Sequence, residues 1–451
     1  MNYAQNDLTH AAAGHRPGGA APAFRSSRRI GLAAVSRWGL PMGIVLALVA
    51  HLSPVTAGVA FALIFIGTCV WQPRVALMII FALVPIQQAL PLHLPVKLSI
   101  SEFGLAFFLP IALLKTAQMG KPIRLGPTLW PTVIYLALCL FSTVLYPHWH
   151  LLAIKAYAQM VVYIVIAPMI CASFPGDTDD LRFALEGAVG MAAIFAAMVL
   201  LTHFHYPNEN KNAWGASFGA GFAIAMELWL AARIAKRRKA ARWLMVALVL
   251  IGMGLFMCLS RGGWLEGISG CVIILALRRR FGLMFRAGII LLPLLVILFV
   301  LLPHKKQHYA FNFSTKAGDI KPRIKLIHYA VKEFESHPVT GVGVGLRKEV
   351  DPTNVFLITL AETGVQGLIA FLAIYFVIIR TAWKDHKKLS QADPRFTLVA
   401  LGGALVVGRF VHGMVDEYWL RGSIVWAWSA VGMLAAVDYE LRRRPRRELR
   451  T

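Results

Sequence analysis

Residues 356–382 read FLITLAETGVQGLIAFLAIYFVIIRTA, with Glu362 and Arg380 as the only charged side chains. As a helix this run reaches about 40 Å at 1.5 Å per residue, enough to cross a hydrocarbon core roughly 30 Å thick. It is too long and too uniformly apolar for a barrel strand, which alternates polar and apolar over about ten residues. Backbone groups in lipid must pair within the segment, which leaves the helix. Comparable runs occupy 38–52, 55–71, 75–92, 99–117, 128–146, 151–172, 181–203, 213–234, 242–259, 261–278, 283–303, 397–415 and 419–438. The expected fold is all-α: a polytopic membrane protein with about 12–14 transmembrane helices, 38–71 being either two spans or one re-entrant pair.

Composition agrees. The chain has 451 residues, 58% hydrophobic and only 15% charged, with a mean hydropathy of +0.63. Soluble domains carry about 25% charged residues. The five cysteines, Cys69, Cys139, Cys171, Cys258 and Cys271, fall in or beside apolar runs and form no motif. They read as small hydrophobic side chains, with no disulfide framework and no metal site.

The net charge of +24 follows from loops that face anionic lipid and calls for no nucleic acid. With an N-terminus inside the cell and alternating spans, inside loops hold Arg74, Lys121, Arg124, Arg182, the run from Arg233 to Arg242, Arg278–Arg280, Arg380–Arg395 and the tail from Arg442. Short outside loops hold only Lys97, Lys155, Lys211, Arg261 and Arg421. This places both termini in the cytoplasm. The expected division is a disordered basic tail over 1–36, a helical bundle over 37–303, an outer loop over 304–354, further spans over 355–440 and a basic tail over 441–451.

The outer loop breaks the charge rule. It carries Lys305, Lys306, Lys316, Lys321, Arg323, Lys325, Lys332, Arg347 and Lys348, as a phosphate-bearing substrate at that face would require. Within it, 321–336 places Ile324, Ile327, Val331 and Phe334 at helical spacing, an amphipathic helix on the membrane surface. The stretch HPVTGVGVG over 337–345 reads as a tight loop packed on that surface; without a preceding strand or a Lys-Ser/Thr pair it is no nucleotide P-loop.

Several polar residues stand out against apolar surroundings. Arg261, in CLSRGGWLEG, is either a snorkelling arginine or a bidentate phosphate ligand, with Gly262 and Gly263 opening the backbone to a ligand. Asp351 and Asn354 sit where the chain returns to the membrane; Asp351 is a cap, an ion-pair partner or a general base. Glu362 is a functional carboxylate or the buried partner of Arg409. Arg409, His412 and Asp416 share a helical face and suggest a hydrophilic cavity. In HFHYPNENKNAWGASFG, His203 and His205 are wrongly spaced for zinc on a helix, while Lys211 and Asn212 suit a sugar or phosphate.

The run SRGGWL, the asparagine-rich turn NENKNAWGASF, and the segments Arg323–Gly345 and Thr353–Leu368 resemble the O-antigen ligase and O-antigen polymerase superfamily. The resemblance is best from about 200 to 420. It implies an inner-membrane glycosyltransferase of GT-C-like helical fold. Such enzymes take a glycan from an undecaprenyl diphosphate carrier at the periplasmic face, and pass it to lipid A core or to another carrier-linked repeat. It implies no nucleotide sugar and no cofactor. It makes Arg261 and Arg323 a diphosphate clamp; Lys211, Asn212, Asn354 and Arg409 are the further candidate substrate contacts.

Where family ligases place a histidine before the asparagine, this chain has Thr353. The base is then open between Asp351, His337 and His412. Membrane lipid, the carrier-linked oligosaccharide and a glycan or lipid A core acceptor are the expected partners. An anion transporter and a non-catalytic envelope partner are the alternatives. Inverted repeats would mark the first, but none is evident; the second has no need of charges at membrane depth.

Overall fold

The computed structural model describes residues 54–86, 99–146, 150–174, 176–202, 211–282, 296, 300, 320–419 and 422–448. The expected span 38–52, nearly all of 283–303, both histidines of the HFH turn, the 1–36 tail and residues 304–319 of the basic loop lie outside them. The chain divides into two compact units, Met1–Gly67 and Thr68–Thr451. Of the first, residues 54–67 are described, as the start of helix α1 (Pro54–Trp71). All else concerns the second.

Every regular element among the described residues is helical. They are α2 (Pro73–Leu83), α3 (Ile100–Gln118), α4 (Leu129–Leu145), α5 (His150–Val161), α6 (Ala167–Ala172), α7 (Thr178–Leu201), α8 (Lys211–Ile234), α9 (Arg238–Met257), α10 (Arg261–Leu277), α11 (Ile320–Ser336), α12 (Val355–Asp385), α13 (Pro394–Gly413) and α14 (Ser423–Glu448). A π-turn over Val162–Ile166 joins α5 to α6. Among the described residues, 8 helices are long and apolar enough to cross a membrane, α5 and α6 counting as one; α2 and α4 are shorter apolar helices. The protein is an all-α, multi-pass membrane protein. α2 stops near Val84 rather than at residue 92, because Pro85 has no N–H with which to continue the helical ladder.

Local sequence sets the helix ends. Ser99 and Glu102 form a reciprocal capping box on α3, and Asp177 and Asp180 one on α7. Ser260 caps α10, Asn354 caps α12 and Asp393 caps α13. All five cysteines are buried and none forms a disulfide.

Small residues hold the centre together. A Cβ on Gly263 of α10 would lie 2.5 Å from the backbone of Gly215 on α8, and one on Gly219 would lie 2.5 Å from the Gly263 carbonyl. The two backbones therefore touch, as small residues four apart allow in apolar surroundings. Gly263, expected to face a ligand, faces α8 instead. Gly408 likewise brings α13 close to α10, where a Cβ would lie 2.9 Å from the Glu266 carbonyl oxygen.

This packing sorts the loops between two ends. At one, Arg278 is buried and pairs with Glu227 (Nε to Oε2, 3.0 Å), donates to the Gln391 carbonyl (2.7 Å) and lies over Phe396. The same end gathers Lys384 with Asp438 (3.0 Å), Arg124 with Glu440 (3.9 Å), Lys121 with the Gly176 carbonyl (3.3 Å) and Arg74 with Asp180 (3.9 Å). The other end carries the starts of α8, α10, α12 and α14.

The 356–382 run is not one rod. α12 breaks at Gly364 (φ 67°, ψ −170°). The break leaves residues 365–385 as a segment of about 31 Å, which alone suffices to cross, preceded by a half-helix over 355–363. Opening a helix frees backbone groups that must find partners. The glycine loop supplies them. Val342 N donates to the Ala361 carbonyl and Gly343 N to the Glu362 carbonyl (both 2.9 Å), while Val365 N donates to the Pro338 carbonyl (2.9 Å). Ser142 Oγ of α4 adds a 2.6 Å bond to the Glu362 carbonyl. The glycine loop is thus an insert in a broken helix. Ala330, Val342, Leu346, Ile358 and Ala361 form a small core beneath it.

Gly364 adopts backbone angles that are essentially closed to other residues, and a Cβ there would lie 2.1 Å from the Val339 carbonyl oxygen. Gly364→Ala therefore removes the folded, monodisperse protein, as size-exclusion chromatography in detergent will read. Gly190→Ala in α7, with ordinary helical backbone and open space around its Cβ, is the comparison and leaves the elution profile intact.

Candidate functional site

The candidate site forms where α10, α12 and α13 meet. His412, on the last turn of α13, is 1% exposed. Its Nδ1 stands 2.5 Å from Glu266 Oε2 and its Nε2 3.4 Å from Asp416 Oδ2. A Cβ on Gly262 would lie 2.7 Å from the His412 ring and 3.4 Å from Val415. Gly262 therefore keeps space for the imidazole, and Arg261 sits next to it as an exposed residue.

Arg323 reaches the same turn from α11. Its Nη1 donates to the Val415 carbonyl at 3.0 Å. Arg323 and the residue beside Arg261 thus meet one residue, Val415, from different helices. Asn354 ties in α12: Oδ1 accepts from Phe356 N (3.0 Å) and Leu357 N (3.1 Å), and Nδ2 donates to the Met414 carbonyl (2.9 Å). Its side chain is a cap and a strut. Lys211 and Asn212 open α8 one turn before Gly215, which packs on Ser260. They therefore lie at the same end as Arg261. Helix starts and basic side chains gathered at one end suit an anion.

Arg409 is 1% exposed. Its guanidinium donates to the Glu417 carbonyl (2.8 Å), to the Tyr418 carbonyl and to Ser423 Oγ (3.4 Å). It holds the turn between α13 and α14 and stands 3.9 Å from Glu266. It does not pair with Glu362. That carboxylate belongs to Arg347, whose backbone N donates at 2.8 Å and Nε at 2.7 Å, with Nη2 as a further donor. Arg347 also lies 4.8 Å over the Trp419 ring. One buried pair so links the loop carrying Asp351, the half-helix of α12 and the turn carrying Asp416.

Asp351 accepts from Thr353 N at 2.8 Å. Burial pushes its carboxyl up to about 6, against the pull of that N–H and of Arg347. Glu417 is pushed up to about 7 by burial and by the charges of Asp351 and Asp416. Asp416 goes the other way: burial raises it, but the hydrogen bond and charge of His412 prevail and hold it below the usual range. Carboxylates driven apart in this way mark sites that move protons. Thr353 has a φ of 53°. For a β-branched residue this is a strained backbone.

His337 stands elsewhere. Its ring packs on Tyr146 at 4.2 Å and its Nδ1 lies 2.8 Å from Ser336 Oγ, beside the Gly364 break. The half-helix separates that break from Asn354 by about 15 Å. The structure thus groups Arg261, Arg323, Asn354, Arg409, His412 and Asp351 around one turn, and leaves His337 outside. Glu266 and the role of Arg347 did not emerge from the sequence. Glu266 had a signal: a lone carboxylate in an apolar helix needs a partner. The pairing of Arg347 did not, because Arg347 is one of many cations in a basic stretch.

Breaking a buried ion pair leaves an uncompensated charge, a loss of about 3–5 kcal/mol. Arg347→Met alone is therefore expected to lower the apparent Tm strongly, and Arg347→Met with Glu362→Gln to recover most of that loss. Thermal scans in detergent of the two single variants and the double variant decide it; additive losses contradict the coupling.

A comparison with curated proteins finds no match. Residues 246–372, from mid α9 through the first part of α12, match the family model described as O-antigen ligase. This stretch includes Arg261, Glu266, Arg323, Asp351 and Glu362. The resemblance to the O-antigen ligase and polymerase superfamily is thereby supported: this multi-pass membrane protein is similar to the O-antigen ligase family over residues 246–372.

Proposed function

We propose that the protein transfers a glycan from an undecaprenyl diphosphate carrier at the periplasmic face of the bacterial inner membrane, as a polymerase or ligase of O-antigen or exopolysaccharide. The observation that carries this reading is the approach of Arg323 and of the Arg261–Gly262 turn to one residue, Val415, at an end where helix starts collect. The charge distribution supports the orientation. The bundle gathers its arginine-rich short loops at the opposite end, and cations concentrate in cytoplasmic loops.

In this mechanism Arg261 and Arg323 hold the diphosphate. An acceptor hydroxyl attacks the anomeric carbon of the carrier-linked sugar. The bond from that carbon to the diphosphate oxygen breaks, and its electron pair leaves with the diphosphate. The negative charge that develops there is met by guanidinium groups already in place. Asp351 takes the hydroxyl proton. A carboxylate at about 6 is largely ionised at neutral pH yet basic enough to accept a proton as the new bond forms. His412, held between Glu266 and Asp416, keeps the turn in shape. Arg409 supports that turn from beneath. Lys211 and Asn212 stand at the rim, where sugar or phosphate contacts belong.

Purified protein incubated with carrier-linked oligosaccharide, with and without lipid A core, tests this reading. Lengthened carrier-linked product identifies a polymerase and core-linked product a ligase; no transfer to either acceptor refutes the proposal. Arg261→Ala and Arg323→Ala are each expected to lower the rate at least about 100-fold while the protein still inserts and elutes as one species. Full ladder length in both variants removes the clamp.

The base has its own signature. The wild-type rate should fall as pH drops through about 6, because Asp351 gains a proton there. Burial penalises the ionised form, so folding stability from this group is greatest below the ordinary carboxylate range and is lost as pH rises through about 6. Asp351→Asn is therefore expected to abolish transfer and raise the apparent Tm at pH 7. Retained activity would exclude Asp351 as the base.

A further inference from the structure

At the end opposite Arg261, a turn through Lys236 joins α8 to α9, and α10 ends in Arg278–Arg280. Two adjoining recesses open there, of about 620 Å³ and about 450 Å³, sharing Trp229 and Arg233 as a common wall. Lys236, Arg238 and Arg242 line the larger; Arg279 and Arg280 line the smaller. Among the described residues, no carboxylate lines either.

A cluster of cations at this end is the ordinary consequence of charge bias in short loops. Three observations set this one apart. First, its cations lack counterions. Arg278, Arg124, Lys384, Lys388 and Arg395 at the same end all pair with carboxylates. The six that line the recesses form no salt bridge among the described residues, although Arg233 rests over Trp229 at 5.5 Å.

Second, they converge against local preference. α9 starts with Arg238 and Lys239 after an uncapped Arg237, with no acid in its first turn. Cations at a helix start oppose the macrodipole. A negatively charged guest reverses the sign of that interaction.

Third, the larger recess continues into lipid-type surface. Met245 and Val246 form its far wall, and Trp243 (75% exposed), Val246 (51%) and Val249 (52%) carry an apolar face up α9. A soluble anion has no use for such a track.

We propose that the paired recess binds the headgroup of an acidic phospholipid, one bearing two phosphates, with its acyl chains along the exposed face of α9. Two recesses on either side of Arg233 match two phosphates better than one. Basic pockets between membrane helices suit such headgroups. Trp229 to Met245 precede the matched 246–372 stretch while Val246, Arg279 and Arg280 fall within it; the recesses lie at the end opposite Arg261, away from the proposed transfer chemistry.

Native mass spectrometry of the full-length protein in detergent tests this, with cardiolipin, phosphatidylglycerol and phosphatidylcholine titrated in turn and inorganic pyrophosphate as a soluble competitor. Cardiolipin should bind at least tenfold more tightly than phosphatidylcholine. Arg238→Gln, Arg242→Gln and Arg279→Gln combined should weaken it about 100-fold, at about fivefold per charge. Lys387→Gln, Arg442→Gln and Arg443→Gln combined remove the same charge from the same end and should leave binding within about twofold. Met245→Asp blocks the apolar track without touching a cation and should also weaken the lipid.

Equal binding of phosphatidylcholine, or equal loss in both triple variants, overturns the proposal. Displacement by pyrophosphate at lipid-equivalent concentration also overturns it, in favour of a free-anion site.

Discussion

A carboxylate with 0% exposure has to be satisfied, and Glu362 is one such group. An unpaired charge at such a position is worth several kcal/mol of instability. Glu362 meets Arg347 through three donors and uses its own carbonyl to accept from Gly343 and Ser142. Around this residue the half-helix, the glycine loop and α4 are fixed together. Through Arg347 and Trp419 the constraint extends to the turn that carries Asp416 and Glu417. The site is therefore assembled by side chains that never face it.

Helical runs were legible because burial in lipid demands one chemistry over a long stretch. The expected 99–117 and 213–234 appear as Ile100–Gln118 and Lys211–Ile234. The break at Gly364 was not legible in the same way. Its flanks are equally apolar, and its cause lies some 25 residues upstream, in N–H groups that replace the lost helical partners. The same distance effect made Arg409 one of the two readings of Glu362: both are apolar-helix charges of opposite sign, but Arg347 arrives from a loop whose path local pattern does not reveal. Gly262 and Gly263 were rightly seen as close-approach residues, yet what approaches is His412 and α8.

Site residues divide along the same line. Arg261 stood out because a cation beside an apolar run is expensive, and Arg323 through the resemblance that its segment carries. Asp351 stood out only by position. What sets its proton affinity is burial beside Glu362 and Asp416, a property of the assembled turn. The left-handed backbone at Thr353 was equally hidden. Strain of this kind is worth about 1–3 kcal/mol and persists only where neighbours hold it, here the Asp351 side chain and the Asn354 cap.

The segment from Pro338 to Gly343 has the composition of a surface connection but the bonding of an internal strand. Its amides and carbonyl complete a ladder that the helix itself abandoned. Surface connections ordinarily accept added or missing residues with little effect. This one has a fixed register, as a paired strand does. Changing its length by a single residue would slide every donor past its acceptor, so variation in this protein should alter the composition of that segment and spare its length.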